Sequence, residues 1–308
     1  MPVRIYRDKE IKLEPLRGKI CAVIGFGSQG HAHALNLRDN GFQVVELHRG
    51  SKSRPAARAH KLTVLETSEA VRQSDVVFLA VPDTKMPKIF AKQIAAYLRR
   101  GQTLLFAHGF TVVYRTVVPP RDVDVVMVAP KGLGQMVRRE FKAGRGVPAL
   151  LAVENDFSGQ ARALAFAWAK AIGCARAGVI ETTFREETET DLFGEQAVLC
   201  GGTTALIRAA FEIFDMIHEV GIAGMRDLIS DTAKWGDLTV GPKIVDKHVH
   251  KKMAMALGQI RSGEFAREFI REMRTGAKRY RALLQEGRRH PLEKTGRRLR
   301  ALMDWRKK

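Results

Sequence analysis

Residues 19–30 read KICAVIGFGSQG and decide the fold of the first half of this chain. After Lys19, residues 20–24 are all apolar and three of the five are β-branched, which is typical of a strand buried on both faces. Gly25, Gly27 and Gly30 then form a G-x-G-x-x-G pattern that opens a helix-like stretch, Ser28 to Asn40. In this context Gly25 permits a tight turn, Gly27 lets the backbone approach a pyrophosphate, and Gly30 lets helix and strand pack closely.

The pattern therefore predicts a dinucleotide-binding turn, because the free N–H groups of the helix start would face the phosphates. We expect six consecutive residues to form this part of the cofactor site: Gly25, Phe26, Gly27, Ser28, Gln29 and Gly30.

Further strand-like and helical runs alternate along the first half of the chain. Apolar runs occur at 42–47, 74–82, 102–107, 122–129 and 148–153, and helical stretches between them include 88–98 and 160–172. Repeated βαβ units imply a parallel sheet covered by helices on both faces. From about Glu181 onward the periods are helical, at 203–219, 247–262, 264–274 and 280–286. We predict an α/β Rossmann-type parallel sheet domain that binds NADP, residues 1–180, and an all-α C-terminal domain for metal, substrate and dimerisation, residues 181–308.

Composition places the chain among ordinary globular proteins. It has 308 residues, of which 45% are hydrophobic and 28% are charged. No apolar run approaches the roughly 18 residues of a membrane span, and the N-terminus lacks the apolar core of a secretory signal. The three cysteines, Cys21, Cys174 and Cys200, have no metal-type spacing. We therefore expect a cytoplasmic protein with no membrane partner.

The formal net charge of +19 is concentrated near the C-terminus. The segment from Lys243 to Lys308 contains 20 lysines and arginines against 7 acids. Such clustering can mark a nucleic-acid surface, but it is also typical of solvated basic helices. The aromatic residues of this segment fall at core-like helical intervals, not on a base-stacking platform, so nucleic acid is a disfavoured partner.

The loop after the second strand bears on the choice between NAD and NADP. An acid at the end of this strand would bind the ribose 2'-hydroxyl of NAD. Here the loop offers Arg49, Ser51 and Ser53, which suit a 2'-phosphate. Glu46 opposes this interpretation, because its carboxylate could repel that phosphate or bind the ribose of NAD. Charge complementarity favours NADP(H).

Asp191 and Glu195 stand four residues apart in an acidic segment of an otherwise basic chain. On a helix this spacing places both carboxylates on one face, one turn apart. Two such carboxylates suit Mg²⁺, which prefers oxygen ligands and retains waters. A solvated acidic helix start, favoured by the helix dipole, would give the same pattern.

Taken together, these motifs resemble those of the ketol-acid reductoisomerase family, over nearly the whole chain. The resemblance rests on residues 25–34 (GFGSQGHAHA), 107–110 (AHGF), 129–132 (APKG) and 190–196 (TDLFGEQ). Residues 224–225 (GM), 230–233 (SDTA) and 236–237 (GD) follow in the same order. The family couples a Mg²⁺-dependent alkyl migration in a 2-acetohydroxy acid to NADPH reduction of the new ketone, in branched-chain amino-acid biosynthesis.

The resemblance implies a role for each matching residue. Asp191 and Glu195 match a metal-ligand pair, and Lys131 matches a lysine near the substrate oxygens that assists proton movement through water. His108 matches a histidine where the cofactor meets the active site, and Ser230 matches a serine that binds the substrate carboxylate. Arg49, Ser51 and Ser53 match the loop that holds the 2'-phosphate. A homodimer is implied as well, since the family builds its active site near a subunit contact.

The sequence departs from the family pattern between Glu212 and Ile213. Roughly twenty residues are absent there, which as helix would span about 30 Å. The family's second metal-binding carboxylate pair lies in that segment. Three hypotheses follow: a shortened reductoisomerase that performs the full reaction; an NADPH-dependent reductase of a small keto acid or imine that has lost the isomerase step; or a non-catalytic basic Rossmann protein that binds a partner or nucleic acid.

The assignment of the 2'-phosphate loop makes a prediction. Arg49→Ala should weaken NADPH binding by about tenfold, the equivalent of one charge-assisted hydrogen bond, and leave NADH binding nearly unchanged. Titration of the cofactor's fluorescence measures both dissociation constants. Equal losses for the two cofactors would remove Arg49 from the 2'-phosphate site.

Overall fold

The computed structural model describes residues 4–46, 54–199, 211–228 and 230–289. Contacts divide the chain into two compact units, Met1–Thr188 and Glu189–Lys308. Within the described ranges, every helix is either too short or too polar to cross a membrane.

The first unit is built on one sheet, which has nine strands in the described residues, in the order β1-β9-β8-β7-β6-β5-β2-β3-β4. The strands are β1 (Ile5–Tyr6), β2 (Ile20–Ile24), β3 (Gln43–Glu46), β4 (Thr63–Val64), β5 (Val76–Leu79), β6 (Thr103–Phe106), β7 (Asp124–Pro130), β8 (Ala149–Asn155) and β9 (Val179–Glu181). The central strands β2, β5, β6 and β7 are parallel, as the βαβ pattern predicts.

Helices connect these strands. They are α1 (Ser28–Asp39), α2 (Arg54–Ala59), α3 (Thr67–Gln73), α4 (Met86–Ile89), α5 (Phe110–Val113), α6 (Gly134–Lys142), α7 (Ala161–Ala171) and α8 (Phe184–Phe193), the last of which crosses the division between the units. Short 3-10 turns occur at Asp8–Glu10, Glu14–Leu16, Ala95–Tyr97 and Cys174–Arg176.

The core lies on both faces of the sheet, because successive strand residues point to opposite sides. On β5, Phe78 packs in one hydrophobic cluster and Leu79 in the other. On β6, Leu105 and Phe106 divide in the same way. All four side chains are at most 1% exposed. Continuous apolar runs in the sequence are thus explained by burial on two faces at once.

The sheet is mostly parallel, as the sequence predicts, but two of its strand pairs are antiparallel. β8 runs antiparallel to β7, with Met127 opposite Ala152, and β1 runs antiparallel to β9. A buried apolar run has the same composition in either direction, so the sequence does not carry this orientation. The sequence also predicts one continuous helix over 88–98. The structure instead has α4, then a wider π-type turn, Phe90–Ile94, and then a 3-10 turn.

The second unit is helical in its described residues, as expected. Its helices are α9 (Phe211–Leu228), α10 (Asp231–Ile244), α11 (Lys247–Arg261), α12 (Glu264–Arg274) and α13 (Lys278–Arg289). Helix α9 is kinked at Gly221, whose φ is 75°. The Asp246 side chain caps α11 by accepting hydrogen bonds from the backbone N–H groups of His248 and Val249. The helix predicted at 203–219 lies partly outside the described residues.

A buried histidine joins α1 to α7 and the sheet. His33 is fully buried, its Nδ1 accepts a hydrogen bond from Trp168 Nε1 at 3.1 Å, and its ring stacks on Phe78 with centroids 4.4 Å apart. Because Nδ1 accepts, the ring is held neutral. Burial, with a smaller contribution from the charge of nearby His31, lowers the pKa of His33 to about 3.

This histidine should make the fold sensitive to acid. Below pH 6.5 the unfolded chain protonates His33, but the folded chain does not until about pH 3. As the pH falls below 6.5, the free energy of unfolding should therefore decrease by about 1.4 kcal/mol per pH unit because of His33. Urea titrations from pH 7.5 to 4.5 measure this free energy at each pH. In His33→Gln, its dependence on pH should be shallower by that amount.

His248→Gln provides the matched control, because His248 is exposed on α11. This variant should keep the wild-type slope. A His33→Gln protein with the wild-type slope would show that His33 does not resist protonation in the folded state.

Candidate active site

Three polar residues follow three neighbouring strands at the carboxyl edge of the sheet. Asp83 comes after β5, His108 after β6 and Lys131 directly after β7, and these strands are adjacent and parallel. Open α/β sheets bind ligands at this edge. His108 and Lys131 are 24% and 33% exposed, so both can reach a ligand there.

One buried carboxylate joins these groups. Glu187, on α8, is only 1% exposed. Its Oε1 accepts a hydrogen bond from Lys131 Nζ at 2.8 Å, and its Oε2 accepts one from the Gly109 N–H at 3.1 Å. Nδ1 of His108 lies 3.2 Å from Oε1 and 3.0 Å from Oε2. We call these three side chains, Lys131, Glu187 and His108, the edge cluster.

Close packing of α8 on the turn after β6 places Glu187 in the cluster. A Cβ on Gly109 would lie 2.4 Å from Thr188 Oγ1 and 2.7 Å from the Phe184 carbonyl oxygen, so only glycine admits the helix here. Phe184 is 1% exposed and meets Phe106 edge-on, with centroids 6.2 Å apart. This aromatic contact anchors the first turn of α8 in the core.

The edge cluster keeps Glu187 ionised despite its burial. Burial alone would raise the pKa of this carboxyl, but the hydrogen bond and charge of His108, with the Lys131 ammonium, more than offset it. The pKa of Glu187 is therefore lowered. Asp83 differs: burial raises its pKa, and nearby Glu187 raises it further, although His108 opposes both. The site thus holds one firmly charged carboxylate and one whose charge is disfavoured.

The turn after β2 fits a dinucleotide. Gly25 has φ of +116°, and a Cβ on Gly30 would lie 1.8 Å from the Gly25 carbonyl oxygen, so this turn requires glycine at both positions. A Cβ on Gly27 would meet nothing within 4 Å, which leaves the space in front of the backbone open. Helix α1 has no side-chain cap, so its first N–H groups face that space. Gln29 Oε1 is buried without a hydrogen-bond partner among the described residues, an acceptor suited to a ligand donor.

The residues predicted for the 2'-phosphate, Arg49, Ser51 and Ser53, lie outside the described residues. Phe26 and Ser28 lie in the turn after β2, where the sequence predicts them. The ring of Phe26 meets His31 and His60, with centroids 6.0 and 6.2 Å away. An aromatic border therefore adjoins the open space at the glycine turn.

The predicted metal ligands lie on and after α8. Asp191 is half-buried and one turn beyond Glu187, and their carboxylate oxygens come within 4.8 Å. Glu195 is exposed in a wider π-type turn, Gly194–Leu199, rather than on a continued α-helix. Hard oxygen donors of this kind suit Mg²⁺. Ser230 is exposed immediately before α10.

Glu187 is the functional candidate that the sequence interpretation missed. It lies in a run of acids, and nothing in the composition marks it out from Glu186 or Glu189. The spacing does carry a signal, because residues 187 and 191 continue the i, i+4 series to 195 and share a helix face.

A glycine-lined dinucleotide turn and a charged cluster at the same sheet edge define a nicotinamide-nucleotide-dependent oxidoreductase. The chain matches the family model of the acetohydroxy acid isomeroreductase NADPH-binding domain over residues 15–178. It also matches the ketol-acid reductoisomerase C-terminal domain over residues 184–214 and 212–305. The chain belongs to the ketol-acid reductoisomerase family.

Individual members of the family are similar in sequence to this chain over nearly their full length. The chain is 48% identical to a ketol-acid reductoisomerase (NADP(+)) of Saccharopolyspora erythraea, over 99% of both chains. It is 49% identical to one of Pyrobaculum aerophilum, over 97% of this chain and 98% of the relative. A solved structure of an NADH-preferring ketol-acid reductoisomerase from an uncultured archaeon is 37% identical, with a TM-score of 0.91 over 98% of this chain and 99% of that one.

The comparisons also bear on the expected gap. The alignment to the Saccharopolyspora relative spans 328 positions, although this chain has only 308 residues. About twenty aligned positions therefore fall opposite gaps in this chain. The C-terminal family model matches in two pieces that meet at residues 212–214, where the sequence predicts the omission.

The edge cluster predicts a strong effect of one substitution. Glu187→Gln removes the charge that holds Lys131 Nζ and His108, so turnover with NADPH should fall on the order of a hundredfold. The melting temperature should change little, since Lys131 and His108 remain partly exposed to water. Steady-state NADPH oxidation and thermal melts provide the two measurements.

Glu186→Gln is the matched control, because Glu186 is the neighbouring acid and is exposed. It should retain wild-type turnover. If Glu187→Gln were as active as Glu186→Gln, the edge cluster would not take part in catalysis.

Proposed function

We propose that this chain is an NADPH- and Mg²⁺-dependent ketol-acid reductoisomerase. It would convert 2-acetohydroxy acids to 2,3-dihydroxy acids in branched-chain amino-acid biosynthesis. The observation that carries the proposal is the edge cluster, which places an ammonium, a carboxylate and an imidazole at the sheet edge where cofactor and substrate meet. Membership of the family supports the reaction type.

The cofactors supply the two parts of the chemistry that side chains do not. When bound, NADPH would supply the hydride and Mg²⁺ would supply Lewis-acid stabilisation of the substrate oxygens. The residues proposed to hold NADPH are those of the glycine turn, with Arg49, Ser51 and Ser53 for the 2'-phosphate and His108 beside the nicotinamide end. Asp191 and Glu195 are proposed to hold Mg²⁺, and Ser230 the substrate carboxylate.

The chain's own catalytic work is proton movement and orientation. The alkyl shift begins with loss of a hydroxyl proton, and the reduction ends with protonation of the new alkoxide. Lys131 Nζ is the group of the edge cluster that carries the proton. Its hydrogen bond of 2.8 Å to Glu187 Oε1 fixes its position, and the Lys131 side chain is 33% exposed, so it can reach a substrate. Glu187 itself stays ionised, so it fixes Lys131 and His108 without competing for their protons.

The shortened helical domain favours one alternative. A dinuclear Mg²⁺ site needs more carboxylates than Asp191 and Glu195 provide, whereas a single Mg²⁺ tolerates one or two protein carboxylates with water and substrate. Hydride transfer depends less on a second ion than the alkyl shift does. The alternative is therefore a family-derived NADPH-dependent reductase of a small keto acid or imine that has lost the isomerase step.

A homodimer in the cytoplasm is part of the proposal. The helical unit exposes large apolar side chains that a second copy would bury, including Ile222 at 56%, Leu228 at 66% and Trp235 at 71% exposed.

Cys21 and Cys174 are free, and burial raises the pKa of each thiol to about 12, which suits unreactive core cysteines in a reducing compartment.

Two substrates separate the proposed function from the alternative. With Mg²⁺ present, 2-acetolactate should drive NADPH oxidation, since it requires both alkyl shift and reduction. Reduction of 3-hydroxy-3-methyl-2-ketobutyrate without turnover of 2-acetolactate would instead establish the reductase. Inertness toward both would refute the reductoisomerase, and salt-sensitive DNA binding by such a protein would favour the non-catalytic interpretation.

Asp191→Asn tests the metal assignment in the same assay. Turnover of 2-acetolactate should fall by about a hundredfold or more, because the proposed ion would lose one of its two carboxylate ligands, while NADPH binding persists. Asp122→Asn, an exposed aspartate before β7, should have no effect. Undiminished activity of Asp191→Asn would remove Asp191 from the site.

A further inference from the structure

The turn that carries Lys131 is bonded to the cofactor turn. Gln29 is the second residue of α1, and its Nε2 donates a hydrogen bond of 2.9 Å to the Gly132 carbonyl oxygen. The amide has one compatible orientation, since the opposite one would set Oε1 against that carbonyl oxygen. The bond spans 103 residues of sequence and ends one residue beyond Lys131.

A second contact brings the same two segments into direct van der Waals contact. The Gly134 N–H, which opens α6, donates a hydrogen bond to Ser28 Oγ at 3.1 Å. A Cβ on Gly134 would lie 1.6 Å from the Ser28 carbonyl oxygen, so no larger residue fits. The start of α1 and the start of α6 therefore cannot shift independently.

Three hydrogen bonds restrain Lys131 and the residue that follows it. Its backbone N–H donates to the Pro148 carbonyl oxygen at 2.8 Å, and its Nζ donates to Glu187 at 2.8 Å. The third restraint is the Gln29 bond at the adjacent residue. The first two bonds attach the turn to Pro148, just before β8, and to α8. The Gln29 bond, together with the Ser28–Gly134 contact, attaches the turn to the segment proposed to hold the cofactor.

We propose that Gln29 is a positioning residue that couples cofactor binding to the placement of Lys131. The inference rests on the proposed function, in which the glycine turn holds NADPH and Lys131 moves the proton. Ordering of the glycine turn by NADPH would restrict Gln29, and the Gly132 bond would pass that restriction to the Lys131 turn. Gln29 thereby makes proton transfer efficient only when the cofactor is in place.

Gln29→Met tests this role, because methionine has nearly the same length but neither amide atom. We expect kcat to fall tenfold or more, while the NADPH dissociation constant rises by less than tenfold, the equivalent of one neutral hydrogen bond. A kcat within twofold of wild type would overturn the proposal. So would a loss of NADPH affinity above thirtyfold, since Gln29 would then act mainly in cofactor binding.

Hydrogen exchange gives a readout that does not depend on turnover. In the wild type, NADPH should slow amide exchange both in the peptide covering residues 25–31 and in the peptide covering residues 131–137. In Gln29→Met, NADPH should still protect the first peptide as in the wild type, but it should protect the second peptide much less, because only the Ser28–Gly134 contact then joins the two segments. Equal protection of the second peptide in both proteins would show that the coupling does not run through Gln29.

Controls separate coupling from general damage. Gln73→Met makes the same change at an exposed position of α3, where the Gln73 side chain bonds only to Glu69 among the described residues, and should behave as wild type. Gln29→Asn is a second variant in case Gln29→Met fails to fold, because one methylene less breaks the reach to Gly132. A wild type that oxidises no NADPH with either substrate would refute the proposed function alone, since the exchange experiment would still decide the coupling.

Discussion

The structure of the site depends on how one buried carboxylate is satisfied. Glu187 is almost fully buried, and an ionised group there is tolerated only with charged or N–H partners. Its partners are Lys131, His108 and the Gly109 N–H, which come from the ends of β7 and β6. Helix α8 and the two strand ends, including Gly109, must therefore keep one mutual geometry. The side chains proposed for catalysis are those that this constraint holds in place.

The cofactor turn is attached to this geometry through side-chain and backbone contacts. Gln29 donates a hydrogen bond to the Gly132 carbonyl oxygen, and Ser28 accepts one from the Gly134 N–H. These two hydrogen bonds join the start of α1 to the turn that carries Lys131. A hydride donor lying along α1 and a proton donor at Lys131 would then have a fixed relative position. Positioning of this kind is a large part of enzymatic rate enhancement. Fixed geometry, rather than unusual residue types, distinguishes this site.

The sequence predicts the individual strands and helices better than it predicts how they are arranged. The glycine pattern located β2 and α1 to within a residue, since turn sterics leave glycine as the only solution. The apolar runs at 102–107 and 122–129 end within a residue of the ends of β6 and β7, so His108 and Lys131 follow strands as those runs predict. The antiparallel direction of β8 was missed because burial on both faces removes any directional pattern. Glu187 was missed because its role arises from the approach of α8 to Gly109, a contact between distant segments. Arg49, Ser51 and Ser53 remain predictions.

A crystal structure of the protein with NADPH and Mg²⁺ bound would decide whether the carboxyl edge of the sheet is the active site. We expect the pyrophosphate over Gly25–Gly30, the nicotinamide ring next to His108 and Lys131, and the ion on the Asp191 carboxylate. Glu187 should keep its contacts to Lys131 and His108. A cofactor bound away from the carboxyl edge of the sheet, or Asp191 without an ion at saturating Mg²⁺, would contradict the account.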